Sequence, residues 1–165
     1  MKNIRNFVDT YLYYAFVIDI ITIALLWFAN SKFSLINFSL NTKENNIEIV
    51  SNIIGASVSL AGFILASLTI IVAIRSNIVS KTPEQSQNPL QLFFSIGTFK
   101  TIVKVFKIAI IELIFCFIAS YVIWSISANL SNFTIFKTIV ILIYIMAMST
   151  IRSLFVLFLL IEADK

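Results

Sequence analysis

Between Glu48 and Arg75 the chain carries no charged side chain, and residues 49–74 restrict what it can fold into more than any other stretch. A helix of roughly 20 apolar residues crosses a hydrocarbon core of about 30 Å, and this run is longer than that. Within it Asn52, Gly55, Ser59, Gly62, Ala66, Thr69 and Ala73 follow one another at alternating spacings of three and four. That is heptad spacing, which puts all of them on one helix face. In lipid, helices associate through close packing and interhelical hydrogen bonds, and small residues let backbones approach. The seam is therefore expected to face protein or water, as the packing core of a helical bundle or as the wall of a pore.

The remaining residues extend the same reading. The chain has 165 residues, 59% of them hydrophobic, with three Gly and two Pro, and a mean hydropathy of +0.98. A soluble domain is closer to half apolar. There is no His and a single cysteine, Cys116, set in an apolar run, so neither a disulfide framework nor a Cys/His metal site can be built. No cofactor is expected. The net charge of +4 would point to nucleic acid in a soluble protein, but in a membrane protein the placement of Lys and Arg sets orientation.

In chain order, the expected architecture is all-α, a single transmembrane domain over residues 1–165 with four spans. These lie at about 10–29, 49–75, 101–127 and 135–161, with a cytoplasmic loop at 76–100. Lys2 and Arg5 precede the first span, and a signal peptide is the alternative there, with Ala29, Asn30 and Ser31 as a cleavage-like site. The length of that apolar region, its aromatic residues and the interrupting Asp19 argue for retention. Tyr11, Tyr13 and Tyr14 at one end, Trp27 and Phe28 at the other, and Tyr121 with Trp124 on span three are placed as interfacial belts. Phe33, Leu35, Ile36, Phe38 and Leu40 form a broken apolar run between spans one and two, suited to the membrane surface. Pro83 and Pro89 mark the linker between spans two and three.

Four spans put both termini and the 76–100 loop on one side. That side holds Lys2, Arg5, Arg75, Lys81, Lys100, Lys104, Lys107 and Lys165, against Lys32, Lys43 and Lys137 on the other. The excess of positive charge places both termini in the cytoplasm. Three glycosylation-type triplets, starting at Asn37, Asn129 and Asn132, are read as chance in a chain of this composition.

Three ionisable residues lie within expected spans: Asp19, Glu112 and Arg152. Charges in hydrocarbon are costly and by default face a bundle interior or a wet cavity. Their depths agree: Asp19 is eight residues past Tyr11 and Glu112 eight past Lys104, about 12 Å along a helix, and Arg152 is ten before Glu162, about 15 Å. The same distance back from Arg75 reaches Ser67 and Ala66. Each helix adds a polar stripe at this level: Ala15, Asp19 and Thr22; Ala109, Glu112, Cys116 and Ala119; Tyr144, Met148, Ser149, Arg152 and Ser153. The structural reading is a pair of Arg152 with Glu112 or Asp19 that fixes register. The functional reading is an ion pathway or gate, kept open by two carboxylates facing one arginine.

A second candidate site is the basic stripe Lys100, Lys104 and Lys107, at helical spacing where span three leaves the membrane, with Arg75 and Lys81 nearby. Snorkelling lysines and orientation account for it structurally. As a site it suits an anionic ligand such as an oligonucleotide, held by a ring of these lysines in an oligomer. Phe93, Phe94, Phe99 and Phe106 are of the type that stacks on bases, though packing against lipid or other helices is their ordinary use.

The segment from Gly62 to Ile70, a Pro-containing loop, and Gly97-Thr98-Phe99-Lys100 leading into span three resemble small four-helix membrane proteins of bacterial genomes. Within that group the chain is similar to the channel-like membrane effectors of Hailong anti-phage defence systems. The resemblance covers the middle of the chain. It implies an oligomeric channel of the bacterial inner membrane, paired with a nucleotidyltransferase whose DNA oligomers hold it inactive. It assigns no catalytic residue, and the lysine stripe as ligand site comes from the sequence rather than from the resemblance. The expected function is an oligomeric, ion-channel-like effector that depolarises the membrane, as a homo-oligomer such as a tetramer. No nucleophile with a base and no Gly-rich phosphate loop is present, so an enzyme is not expected. A small proton-coupled transporter working through Asp19 or Glu112, and a non-conducting membrane scaffold subunit, are the competing classes.

Overall fold

A computed structural model describes residues 2–33, 42–78 and 98–162. Those residues form four long helices: α1 (Lys2–Phe33), α2 (Lys43–Ile78), α3 (Thr98–Ile126) and α4 (Asn132–Glu162). There is no strand among the described residues. The stretches expected as spans fall on these helices, which begin earlier than the apolar runs by several residues. Residues 34–41, with most of the surface segment expected there and the Asn37 triplet, lie outside the described residues, as do 79–97 with Lys81, Pro83, Pro89, Phe93, Phe94 and Gly97.

Local chemistry sets two of the helix starts. Thr42 accepts the amide of Asn45 on its hydroxyl at 3.3 Å, and Ser131 accepts that of Thr134 at 3.2 Å. Each hydroxyl thereby satisfies one of the amides that a helix N-terminus leaves without an intrahelical partner. Between α3 and α4 a short 3-10 turn, Ser127–Asn129, leads to Leu130 in extended conformation (φ −96°, ψ 144°), which reverses the chain. Lys43 at the start of α2 donates to the Ala128 carbonyl at 3.2 Å, so α2 begins where α3 ends. At the other end of the bundle Arg75, near the end of α2, lies over the Phe99 ring at the start of α3. Successive helices of this trio therefore run in opposite directions.

The core is made by α2, α3 and α4, with α1 packed more sparsely against α3 and α4. Ile64 and Ile71 of α2, Phe106 and Leu113 of α3, and Ile135 and Leu142 of α4 are the large side chains fully enclosed there. α1 is kinked at Tyr14 (φ −106°, ψ 19°). It reaches α4 twice, through Asp19 to Arg152 and through Trp27 to Lys137, whose ammonium lies 5.3 Å from the indole centroid. The order of those contacts makes α1 antiparallel to α4.

Large apolar side chains cover the outside of the bundle as well as its core. Beyond Tyr14, α1 encloses Asp19 and Asn30 while Leu25, Phe28 and Phe33 are exposed, Phe28 to 70%. Exposed Phe63, Leu65 and Ile70 on α2, Ile114, Phe115 and Ile118 on α3, and Ile151, Phe155 and Phe158 on α4 continue the apolar surface. Soluble monomers rarely carry contiguous apolar patches beyond a few hundred Å². Two helices, over Lys43–Ser76 and Asn132–Phe158, are long and apolar enough to cross a membrane.

Candidate functional site: a buried charge cluster and an outward seam

Asp19, Glu112 and Arg152 come together in the interior, one from each of α1, α3 and α4. The Arg152 guanidinium gives Nη1 to Asp19 Oδ2 and Nη2 to Glu112 Oε2, so it joins both carboxylates rather than one of them. Ser149, one turn before Arg152, donates its hydroxyl to the same Glu112 oxygen. Exposure is 4% for Asp19, 4% for Glu112 and 2% for Arg152, which removes solvent as a partner for these charges. The second oxygen of each carboxylate, Asp19 Oδ1 and Glu112 Oε1, is buried without a hydrogen-bond partner.

The expected stripes are enclosed only in part: Thr22, Ala119, Tyr144 and Met148 are half-buried. Ala109 and Cys116 on α3 and Ser149 and Ser153 on α4 are buried with it. The Cys116 thiol lies 3.8 Å from the Leu142 carbonyl. Buried hydroxyls mostly return to their own helices, Ser153 to the Ser149 carbonyl at 2.9 Å and Ser67 to that of Phe63 at 3.0 Å. Such i−4 bonds satisfy a hydroxyl without a partner helix. Of the α2 residues counted to this depth, Ser67 faces inward and Ala66 outward.

The seam of α2 lies on the opposite side of the helix from the core. Asn52, Gly55, Ser59, Gly62, Ala66, Thr69 and Ala73 are all exposed, whereas Val50, Ile53, Ser57, Ile64, Ser67 and Ile71 on the other face are buried. Packing within the bundle of a single chain, one of the two roles expected for the seam, is therefore taken by a different face. The reason is bulk: Ile and Val side chains fill the space against α3 and α4, which small residues would leave empty. A Cβ placed on Gly55 or Gly62 would meet no other atom within 4 Å. Ser59 and Thr69 bond back to the Gly55 and Leu65 carbonyls, each at 2.9 Å, so this face is small and its hydroxyls are internally satisfied.

Lys100, Lys104 and Lys107 are exposed along α3 at the end of the bundle where α2 finishes. Arg75 is half-buried with its guanidinium 3.9 Å from the Phe99 centroid, which commits it to a cation–π contact. Phe99 and Phe106 are buried and serve the core rather than a stacking surface.

At the opposite end a polar clasp that the sequence reading passed over joins α2 to α4. Asn46, fully buried, donates its side-chain amide to the Asn132 side-chain oxygen at 2.6 Å. Both residues sit within the first turn of helices that run in the same direction, and the Asn in each opening turn was the available signal. Nearby, Lys137 lies 4.3 Å from the Phe133 ring centroid.

No protein-family model, curated protein or solved structure matches this chain.

Proposed function

We propose that this protein is the subunit of a homo-oligomeric, ion-channel-like assembly in the bacterial inner membrane, which depolarises the membrane when open. The observation that carries this reading is the orientation of the α2 seam: seven small or polar residues face outward along the uncharged stretch 49–74 while Val50, Ile53, Ile64 and Ile71 pack inside. Lipid offers such a face nothing that it would not offer to Leu or Ile, whereas a second copy can approach it closely or surround water with it. The interior of one subunit is crossed by the Asp19–Arg152–Glu112 cluster and filled around it, so the conduction path in this reading runs between subunits.

The reading includes four membrane crossings. From Ile108 to Ile126, α3 has Glu112 as its sole charged residue, and that charge is neutralised inside. Between Asp19 and Lys32, α1 has no charge and presents its apolar side chains outward. With Lys100, Lys104 and Lys107 at one end of α3, the positive-inside rule puts that end and both termini in the cytoplasm. These lysines would receive an anionic ligand that holds one gating state. An oligonucleotide made by a partner nucleotidyltransferase, and a role in anti-phage defence, follow from the resemblance to Hailong effectors. In this reading the protein has no catalytic chemistry of its own.

The test is reconstitution. Purified protein in liposomes should show passive ion flux, and cross-linking through cysteines placed on the α2 seam should capture oligomers. A monomer without flux would leave the scaffold reading. Proton flux that requires a driving gradient of a second solute would instead support the small transporter.

A further inference from the structure

We propose that the Asp19–Arg152–Glu112 cluster is a proton-binding site that holds one exchangeable proton on its carboxyl groups. Charge counting comes first. Two carboxylates and one guanidinium leave one negative charge in excess, and all three residues are at least 95% enclosed. An unbalanced charge in such a place is far more costly than a neutral cluster. The charged groups nearest along the helices do not balance it from inside: Lys107, five residues before Glu112 on α3, is exposed at the surface. α2 has none between Glu48 and Arg75, α4 has only Tyr144 and Arg152 between Lys137 and Glu162, and α3 contributes the neutral Cys116 thiol one turn from Glu112. From Tyr14 to Phe33, Asp19 is α1's only acidic residue and Lys32 its only basic one, 13 residues beyond Asp19 by position (32 − 19).

Hydrogen bonding supplies the second observation. Each carboxylate spends one oxygen on Arg152, and the other, Asp19 Oδ1 or Glu112 Oε1, is buried with no donor. Two ionised carboxylates would leave two buried acceptor oxygens without a donor, while a proton on either one reduces that to one. A metal cation would use the same vacant oxygens, but hard cations take about six to eight oxygen ligands. No group of three or more metal-ligating side chains occurs among the described residues. A proton needs one oxygen.

The two acids are not equivalent. Glu112 Oε2 accepts from both Arg152 and Ser149, and hydrogen bonds to the charged form favour that form. Asp19 has the single bond from Arg152. The proton therefore resides on Asp19 and the anion on Glu112. Loading takes one proton from water to a carboxylate oxygen; unloading returns it and leaves the layer with one negative charge on the seam between α1 and the other helices.

Infrared spectroscopy of the full-length protein in lipid tests this without any need for conduction. At neutral pH the wild-type protein should show the carbonyl band of a buried carboxylic acid, shifting on exchange into heavy water. The band should titrate away as one proton per chain when the pH is raised. Both Asp19→Asn and Glu112→Gln should abolish it, because either leaves one carboxylate paired with one guanidinium and no need for a proton. Absence of the band from the wild-type protein at neutral pH would overturn the proposal, and this measurement does not depend on whether the variants fold. Persistence of the full band in both variants would overturn it equally.

Discussion

Asp19 and Arg152 are 133 residues apart in the chain, and inside the bundle the guanidinium donates to the Asp19 carboxyl group. The pair fastens α1, the least packed helix, to α4, and the same guanidinium fastens α3 through Glu112. Removing the arginine strands both enclosed carboxyl groups, whereas removing one of them leaves a balanced pair.

The order of damage follows from that arithmetic. Arg152→Ala should cost about 3–5 kcal/mol, the usual penalty for breaking a buried pair from one side. Adding Glu112→Gln to it should recover part of the loss, giving a coupling well above the about 0.5 kcal/mol expected of independent sites. Thermal stability in detergent of the two single variants and the double variant measures it. Strict additivity with both carboxylates would remove the cluster as a structural tie.

Gly62→Leu separates a contact between copies from one within the chain. A Cβ there has open space in its own subunit, and replacing a helix-interior Gly gains about 1 kcal/mol of helix propensity. The subunit should therefore fold at least as well as before. Oligomer capture and ion flux should fall sharply, because added volume at a close helix contact or pore wall has nowhere to go. Unchanged assembly together with unchanged flux would leave the seam facing lipid.

The charge cluster was legible because charges in hydrocarbon are rare enough to be counted and depth along a helix is simple arithmetic; Asp19, Glu112 and Arg152 needed only their distances from the helix ends. Sequence reasoning left open which carboxylate Arg152 would choose, since a forked donor can serve two acceptors and only the packing of three helices brings both within reach. The seam was legible as one face, but periodicity gives no phase relative to neighbouring helices. That Val50, Ile53, Ile64 and Ile71 would turn inward and Gly55 and Gly62 outward depended on the bulk needed to fill the core. The Asn46–Asn132 clasp was not legible, because two amides at helix starts look like ordinary surface residues until the helices are known to run side by side in one direction.

Cys116 offers an inexpensive check on the packing of α3 against α4. Its thiol is fully enclosed and lies against the Leu142 carbonyl. A buried, apolar thiol is inert toward electrophiles that its thiolate would have to attack. A membrane-permeant maleimide should leave the folded protein unlabelled and label it fully once denatured. Rapid labelling of the native protein would show that this face of α3 is open.

The lysine stripe yields the prediction that joins ligand to gating. Lys100, Lys104 and Lys107 are exposed at one end of α3, where an anionic chain can reach them from water. A ligand shifts the balance between open and closed states only by its preference for one of them. If phosphate contacts supply that preference, binding should weaken steeply with salt, and each lysine removed should reduce the salt slope by roughly one. Replacing all three by Gln should abolish binding of a short single-stranded DNA probe and its control of flux while oligomers still form. The change also removes positive charge that sets orientation, so the side on which the C-terminus lies is measured in the same cells with a terminal reporter. A variant of unchanged orientation that still binds the probe with the wild-type salt slope would place the anionic ligand elsewhere. Wild-type protein that binds no probe at low salt, yet collapses the membrane potential when expressed alone, would keep the channel and discard this gate.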